Sequence, residues 1–153
     1  MMFERILVAL DNSADNVSVF ETALSLAKWA DSRLLLAHVL PCEDMNSTVC
    51  ETQGLKMLRQ FHTLASAAGI GSDLAQPLAN PGHQICELAI GWGADLIIVG
   101  RRGLTSGEEA TQGSVSQYVT HHAACPVLIV QRQSWEHPGH SGTQESSQMA
   151  IAR

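Results

Sequence analysis

The sequence predicts an α/β fold: a single five-stranded parallel sheet with helices on both faces. Three observations predict it. Short runs of strand length, such as ERILVAL at 4–10 and DLIIV at 95–99, are almost continuously apolar, as strands covered on both faces must be. Between them lie stretches whose apolar residues recur at helical spacing. The two kinds of segment alternate as βαβαβαβαβ, which right-handed crossovers wind into a parallel sheet. The length of 153 residues suits one domain that needs no cross-links. Hydrophobic residues at 45% against 16% charged residues place the chain among globular proteins. Aromatics are only 5%, so the core must be built from Leu, Ile, Val and Ala.

The first strand, 4–10, ends at Asp11, and DNSADN follows with turn and capping residues. Phe20, Ala23, Leu24, Ala27 and Ala30 then mark a helical face, with Ser13 or Asp15 placed to cap it. RLLLAHVL at 33–40 is a second strand, closed by Pro41. After a polar connection, a helix from about 50 to 68 carries Leu55, Leu58, Phe61, Ala65 and Ala68 on one face. Gly69 ends it. Residues 72–79 form a weaker strand, because Pro77 fits only an edge or a strand end. Asn80-Pro81 opens the next helix, whose face is Ile85, Leu88, Ala89 and Trp92. The strand at 95–99 and a polar loop at 101–112 follow. Val115, Tyr118, Val119 and His122 mark a last helix, and VLIVQ at 127–131 a last strand. The domain spans 1–132. Residues 133–153 are polar and aperiodic and read as a flexible C-terminal tail. Its His137 and His140 read as lone surface histidines.

The net charge of −6 excludes a broad basic face for nucleic acid or membrane, though not a small local anion site. The N-terminus MMFERILVAL lacks the basic and cleavable parts of a secretory signal. No apolar run approaches the roughly 18 residues of a membrane span. These features predict a cytoplasmic location. Cys42, Cys50, Cys86 and Cys125 form no CxxC pair and read as reduced thiols, mostly small core residues.

The loop after the fourth strand carries the chemistry. It reads Gly100-Arg101-Arg102-Gly103, nine residues, then Gly113-Ser114, and it opens a helix. Glycines let the backbone turn sharply and approach a ligand. A helix N-terminus presents unpaired N–H groups and partial positive charge, which suit phosphate. Gly113, Ser114, Val115 and Ser116 lie at that start, and Arg101 and Arg102 add positive charge. The same pattern also suits a plain strand-to-helix connection in which Ser114 is an ordinary cap.

The chain resembles the universal stress proteins of the UspA type from about residue 3 to residue 132. The resemblance rests on ILVALDNS, LLLAHVL, GADLIIVGRRG and GSVSQYVTHHAACPVLIV. G-x2-G-x9-G-[ST] marks that family's ATP-binding branch, and it is complete here. The resemblance implies a Rossmann-like sheet of the adenine nucleotide alpha hydrolase kind. It implies ATP, ADP or AMP as ligand; read from the residues alone, a carboxylate such as Asp11 at a strand's carboxyl end suits a ribose hydroxyl or a Mg2+ ion. It places Ala9, Leu10 and Asp11 near the adenosine and Val39 in the adenine pocket. Gly100, Arg102 and Gly103 fall where the family wraps ribose and phosphates, and Gly113, Ser114, Val115 and Ser116 where it holds the phosphate chain. It also implies a homodimer through the last strand, 127–131, where an apolar sheet edge invites a second copy. The x9 segment LTSGEEATQ departs from the pattern. Glu108 and Glu109 bring two negative charges near the proposed phosphates; directed outward, they are a solvated pair.

The first strand leads into Asp11-Asn12-Ser13, so neither a GxGxxG nor an SGG-type loop follows it, and no GxxxxGK[ST] occurs. These absences set aside dehydrogenases, PP-loop pyrophosphatases and P-loop NTPases. No nucleophile stands beside a base, and no residue stands out to activate water. The expected function is therefore a nucleotide-binding stress or signalling module with slow hydrolysis at most. The alternatives are a nucleotide-free interaction module acting as a homodimer and a hydrolase using a metal on Asp11 and the glutamates.

Overall fold

A computed structural model of the chain describes residues 3–41, 47–101 and 114–131. It contains β1 (Arg5–Ala9), α1 (Asn16–Ala30), β2 (Arg33–Ala37), α2 (Ser47–Ala67), β3 (Ser72–Ala75), α3 (Pro81–Trp92), β4 (Leu96–Gly100), α4 (Ser114–His122) and β5 (Val127–Val130). The five strands form one sheet in the order β3-β2-β1-β4-β5, with every pair parallel. The chain moves outward from β1 to β3 and then crosses back to β4 on the other side of β1. That reversal puts the topological switch point between β1 and β4, where open parallel sheets hold their ligands.

The predicted fold class is the observed one, and packing explains it. Strand side chains alternate between two apolar layers. Ile6, Val8, Leu34, Leu36, Leu96 and Ile98 join Phe20, Ala23 and Ala27 of α1 and Leu58, Phe61 and Ala65 of α2. On the opposite face Leu7, Leu35, Ala37, Ile97 and Val99 join Ile85, Cys86 and Ala89 of α3 and Val119 of α4. The rings of Phe20 and Phe61 stack with centroids 4.4 Å apart, fixing α1 against α2.

Local signals set the ends of the elements. Asn80 caps α3, its side chain accepting from the His83 N–H at 3.3 Å, with Pro81 just inside. Gly69 and Gly93 take left-handed conformations at φ 77° and 75° as the chain leaves α2 and α3. Asp31 does the same after α1 at φ 54°.

Some details differ from the sequence expectation. Asp15 occupies the cap position of α1 without a side-chain cap bond, because its backbone is already helical at φ −75°, ψ −11°. Neither strand runs its full expected length: β2 stops at Ala37 and β3 at Ala75. Beyond them only an isolated Leu40–Leu78 bridge continues the pairing, since Pro77 has no N–H to give and β3 lies at the sheet edge. The inner face of α2 passes through Gly54, Leu58, Phe61 and Ala65, while Leu55 is only half-buried. Cys42, Glu108, Glu109, and the tail at 133–153 lie outside the described residues.

Candidate functional site

The carboxyl ends of the inner strands surround a cavity of about 210 Å³. Register explains why it sits there. Ala9 pairs with Ala37 of β2 and with Val99 of β4, so the three chains leave the sheet at one level. After Ala9 the chain passes Leu10 and Asp11, after Ala37 it passes His38 and Val39, and after Val99 it passes Gly100 and Arg101. All of these residues line the cavity, as do Val115 and Ser116 at the start of α4.

Seven of the eleven residues that the resemblance placed at the ligand therefore share one cavity, Ala9, Leu10, Asp11, Val39, Gly100, Val115 and Ser116, and Arg101 lines it too. Ser114 is the first residue of α4. Arg102, Gly103 and Gly113 lie outside the described residues. The helix α4 thus begins beside the ends of β1 and β4 and contributes its N-terminal partial positive charge there. Ser116 is buried, at 6% exposure. Gly100 lies close beneath α1; a Cβ there would stand 3.0 Å from Val19 Cγ2.

Asp11 is half-buried, and its Oδ1 accepts from the Ser13 N–H at 2.9 Å and from the Ser13 hydroxyl. The Asn16 amide donates to the Asp11 carbonyl at 3.1 Å. The carboxylate is thus held against the loop that leads into α1, at the mouth of the switch point. Asp11 and Asp15 are the carboxylates lining the cavity among the described residues. Magnesium is commonly held by one or two carboxylates together with substrate phosphates. That donor set fits a nucleotide-borne ion rather than a resident metal. Among the described residues no cluster of three or more His, Cys, Asp or Glu is arranged to hold a metal by itself.

Sequence reasoning passed over His38. It is 3% exposed, yet it lines the cavity. Gln76, just past β3, places its Nε2 3.0 Å from His38 Nδ1 and also donates to the Glu51 carbonyl at 3.2 Å. Gly54 of α2 lies directly over this pair. A Cβ there would collide with both His38 Nδ1 and Gln76 Nε2. Burial lowers the His38 pKa below the usual histidine value, and the charge of Asp11 opposes that shift. In the sequence the only signal was a histidine inside an otherwise apolar strand end, LLLAHVLP.

Burial also raises the thiol pKa values of Cys86 and Cys125, which suits their place in the second apolar layer and disfavours the reactive thiolate. Cys50 is half-buried and lines the cavity. His121 and His122 lie on the exposed side of α4. Among the described residues no helix is long and apolar enough to cross a membrane.

The parallel sheet, its switch-point cavity and the helix that opens beside it define a doubly wound α/β domain, and comparison with known proteins narrows the class. The universal stress protein family profile matches residues 2–131, and the chain belongs to that family. A universal stress protein of Bacillus subtilis, YxiE, is 30% identical over 148 residues, covering 84% of this chain and 99% of its own. A family member from Arabidopsis thaliana, solved with AMP bound, superposes with a TM-score of 0.68 at 25% identity, covering 85% of this chain and 92% of that one. A universal stress protein solved in complex with cAMP gives the same score and identity over 86% of this chain and 98% of that one.

Proposed function

We propose that this protein binds an adenine nucleotide, ATP foremost with ADP or AMP as alternatives, and acts as a nucleotide-dependent stress or signalling module. The observation that carries this is the meeting of Asp11, Val39, Gly100 and Ser116 around one cavity at the switch point. Adenine nucleotides in two related structures support the same reading. A ligand there would set its phosphates against Gly100, Val115 and Ser116, with Ser114, Gly113, Arg102 and Gly103 completing the cradle. Its adenosine would lie toward Ala9, Leu10, Asp11 and Val39, with Mg2+ carried between the phosphates and Asp11.

The proposed action is binding rather than rapid turnover. The sequence sets no nucleophile beside a base and marks no residue to activate water. Binding would act by shifting a conformational or oligomeric equilibrium, which requires different affinities for two states. The working location is the cytoplasm. A homodimer would form along β5, the exposed edge strand, where Leu128 and Ile129 are 37% and 38% exposed.

Equilibrium dialysis of the full chain against ATP and AMP with magnesium tests the reading. Saturable binding at or below millimolar concentration is expected. If neither nucleotide binds at millimolar concentration, the protein is a nucleotide-free interaction module instead. A phosphate-release assay on the parent and Asp11→Ala should give background rates in both; an Asp11-dependent rate above background would make it a metal-assisted hydrolase.

A further inference from the structure

We propose that His38 is the base-reading residue of the cavity, a neutral imidazole that donates its Nε2–H to a ring nitrogen of the bound nucleotide. This rests on the nucleotide reading above and adds to it a specificity-determining side chain.

The Gln76 amide fixes the tautomer. Its Nε2 lies 3.2 Å from the Glu51 carbonyl oxygen, which can only accept, so the amide nitrogen must face that way. The second hydrogen of the same nitrogen is then directed to His38 Nδ1 at 3.0 Å. An imidazole nitrogen that accepts carries no proton, so the ring proton of neutral His38 sits on Nε2. Burial favours that neutral form. Gly54 makes the arrangement possible, because any side chain there would collide with both partners. Groups from α2 and from the end of β3 thus hold one ring, carried by the end of β2, in one protonation state. With Nδ1 engaged, Nε2–H is the polar group that His38 has left for a ligand in the cavity it lines.

Sheet order says which part of the ligand lies there. Phosphates belong at the α4 end, with Gly100 and Ser116. His38, Val39, Leu40 and Pro41 extend from β2, on the far side of β1 from β4. Two strand spacings, roughly 10 Å, separate the two places. A nucleotide lying across the end of β1 would therefore bring its base to the β2 tip. A fixed N–H donor at that place selects a ring-nitrogen acceptor, and a base lacking it leaves the buried donor unpaired.

Calorimetry of the wild-type full chain with AMP and its 1-deaza, 3-deaza and 7-deaza analogues tests this, since each replaces one acceptor nitrogen by C–H. One analogue should bind about tenfold more weakly than AMP, the effect of one unpaired buried donor. In His38→Phe that difference should vanish. In nitrogen-15 spectra of the wild-type protein at neutral pH, His38 should show the Nε2–H tautomer, a measurement that needs no variant to fold. Equal binding of all three analogues, discrimination that persists in His38→Phe, or an Nδ1–H tautomer would each overturn the proposal while nucleotide binding stands. Failure of AMP and ATP to bind the wild-type chain at all would overturn both.

Discussion

Gly82, in the first turn of α3, lies directly against the ring of Tyr118 in α4: a Cβ on Gly82 would stand 2.9 Å from Tyr118 Cδ1 and 3.0 Å from its Cβ and Cγ. The missing side chain lets the two helices of this layer approach, and Tyr118 in turn stacks on His122 with centroids 3.9 Å apart. The contact matters for the site because α4 carries Val115 and Ser116 to the cavity.

Gly82→Ala should therefore destabilise the fold. Alanine improves helix propensity by up to about 1 kcal/mol. Overpacking against the root of a large side chain costs about 1–3 kcal/mol and should win. Denaturant unfolding would show a net loss of about 1 kcal/mol. In a Tyr118→Ala background the same change should become neutral or stabilising, and an unchanged loss there would show that Tyr118 is not the obstacle.

Stability should fall on mild acidification, and His38 should be one cause. Its folded-state pKa lies below the unfolded value of about 6.5. Between those two values the unfolded chain binds more protons, so stability rises with pH. The contribution is complete above about pH 6.5 and is lost as pH falls through the lower folded pKa. The groups around the ring set its size: Asp11 from the end of β1 reduces the shift, while Gln76 and the Glu51 carbonyl carry no charge. Unfolding midpoints measured from pH 8 to pH 5 should decline less steeply in His38→Asn than in the parent. Parallel slopes would remove His38 as a contributor.

The two helix starts should respond differently to alanine. Asn80 supplies a side-chain cap to α3, so Asn80→Ala should cost about 1 kcal/mol. Asp15 stands at the cap position of α1 without making that bond, so Asp15→Ala should leave the unfolding midpoint nearly unchanged. A loss at Asp15 equal to that at Asn80 would contradict the cap geometry.

A homodimer through β5 should depend on its apolar edge. Light scattering of the parent at micromolar concentration should give twice the chain mass, and Ile129→Glu should give a monomer, since an exposed edge carrying charge resists pairing. A monomeric parent would reject the β5 dimer and leave the fold account intact.

Much of this protein was legible in its sequence. Among the described residues, apolar runs bounded by turn residues marked four of the five strands, with the edge strand β3 a weaker signal, and helical spacing marked the four helices, because these patterns follow directly from burial on two faces of a parallel sheet. Asp11, Gly100 and Ser116 could be picked out because each lies at or just past the end of a strand or opens a helix, where ligands gather in such folds, while Val39 came from the family resemblance alone. The glycine-spaced pattern from Gly100 to Ser114 pointed to phosphate, although the residues at 102–113 lie outside the described structure. Other features depend on contacts between residues far apart in the chain. No periodicity could pair Gln76 with His38, or put Gly54 over both, since they come from three elements that meet only when β3 docks beside β2. Nor could the sequence tell that Asp15 makes no cap bond, which turns on backbone angles. Local pattern determined the elements and the end of the sheet where a ligand would lie; the tertiary structure decided which side chains meet there, because strand order and helix approach set distances that sequence spacing does not encode.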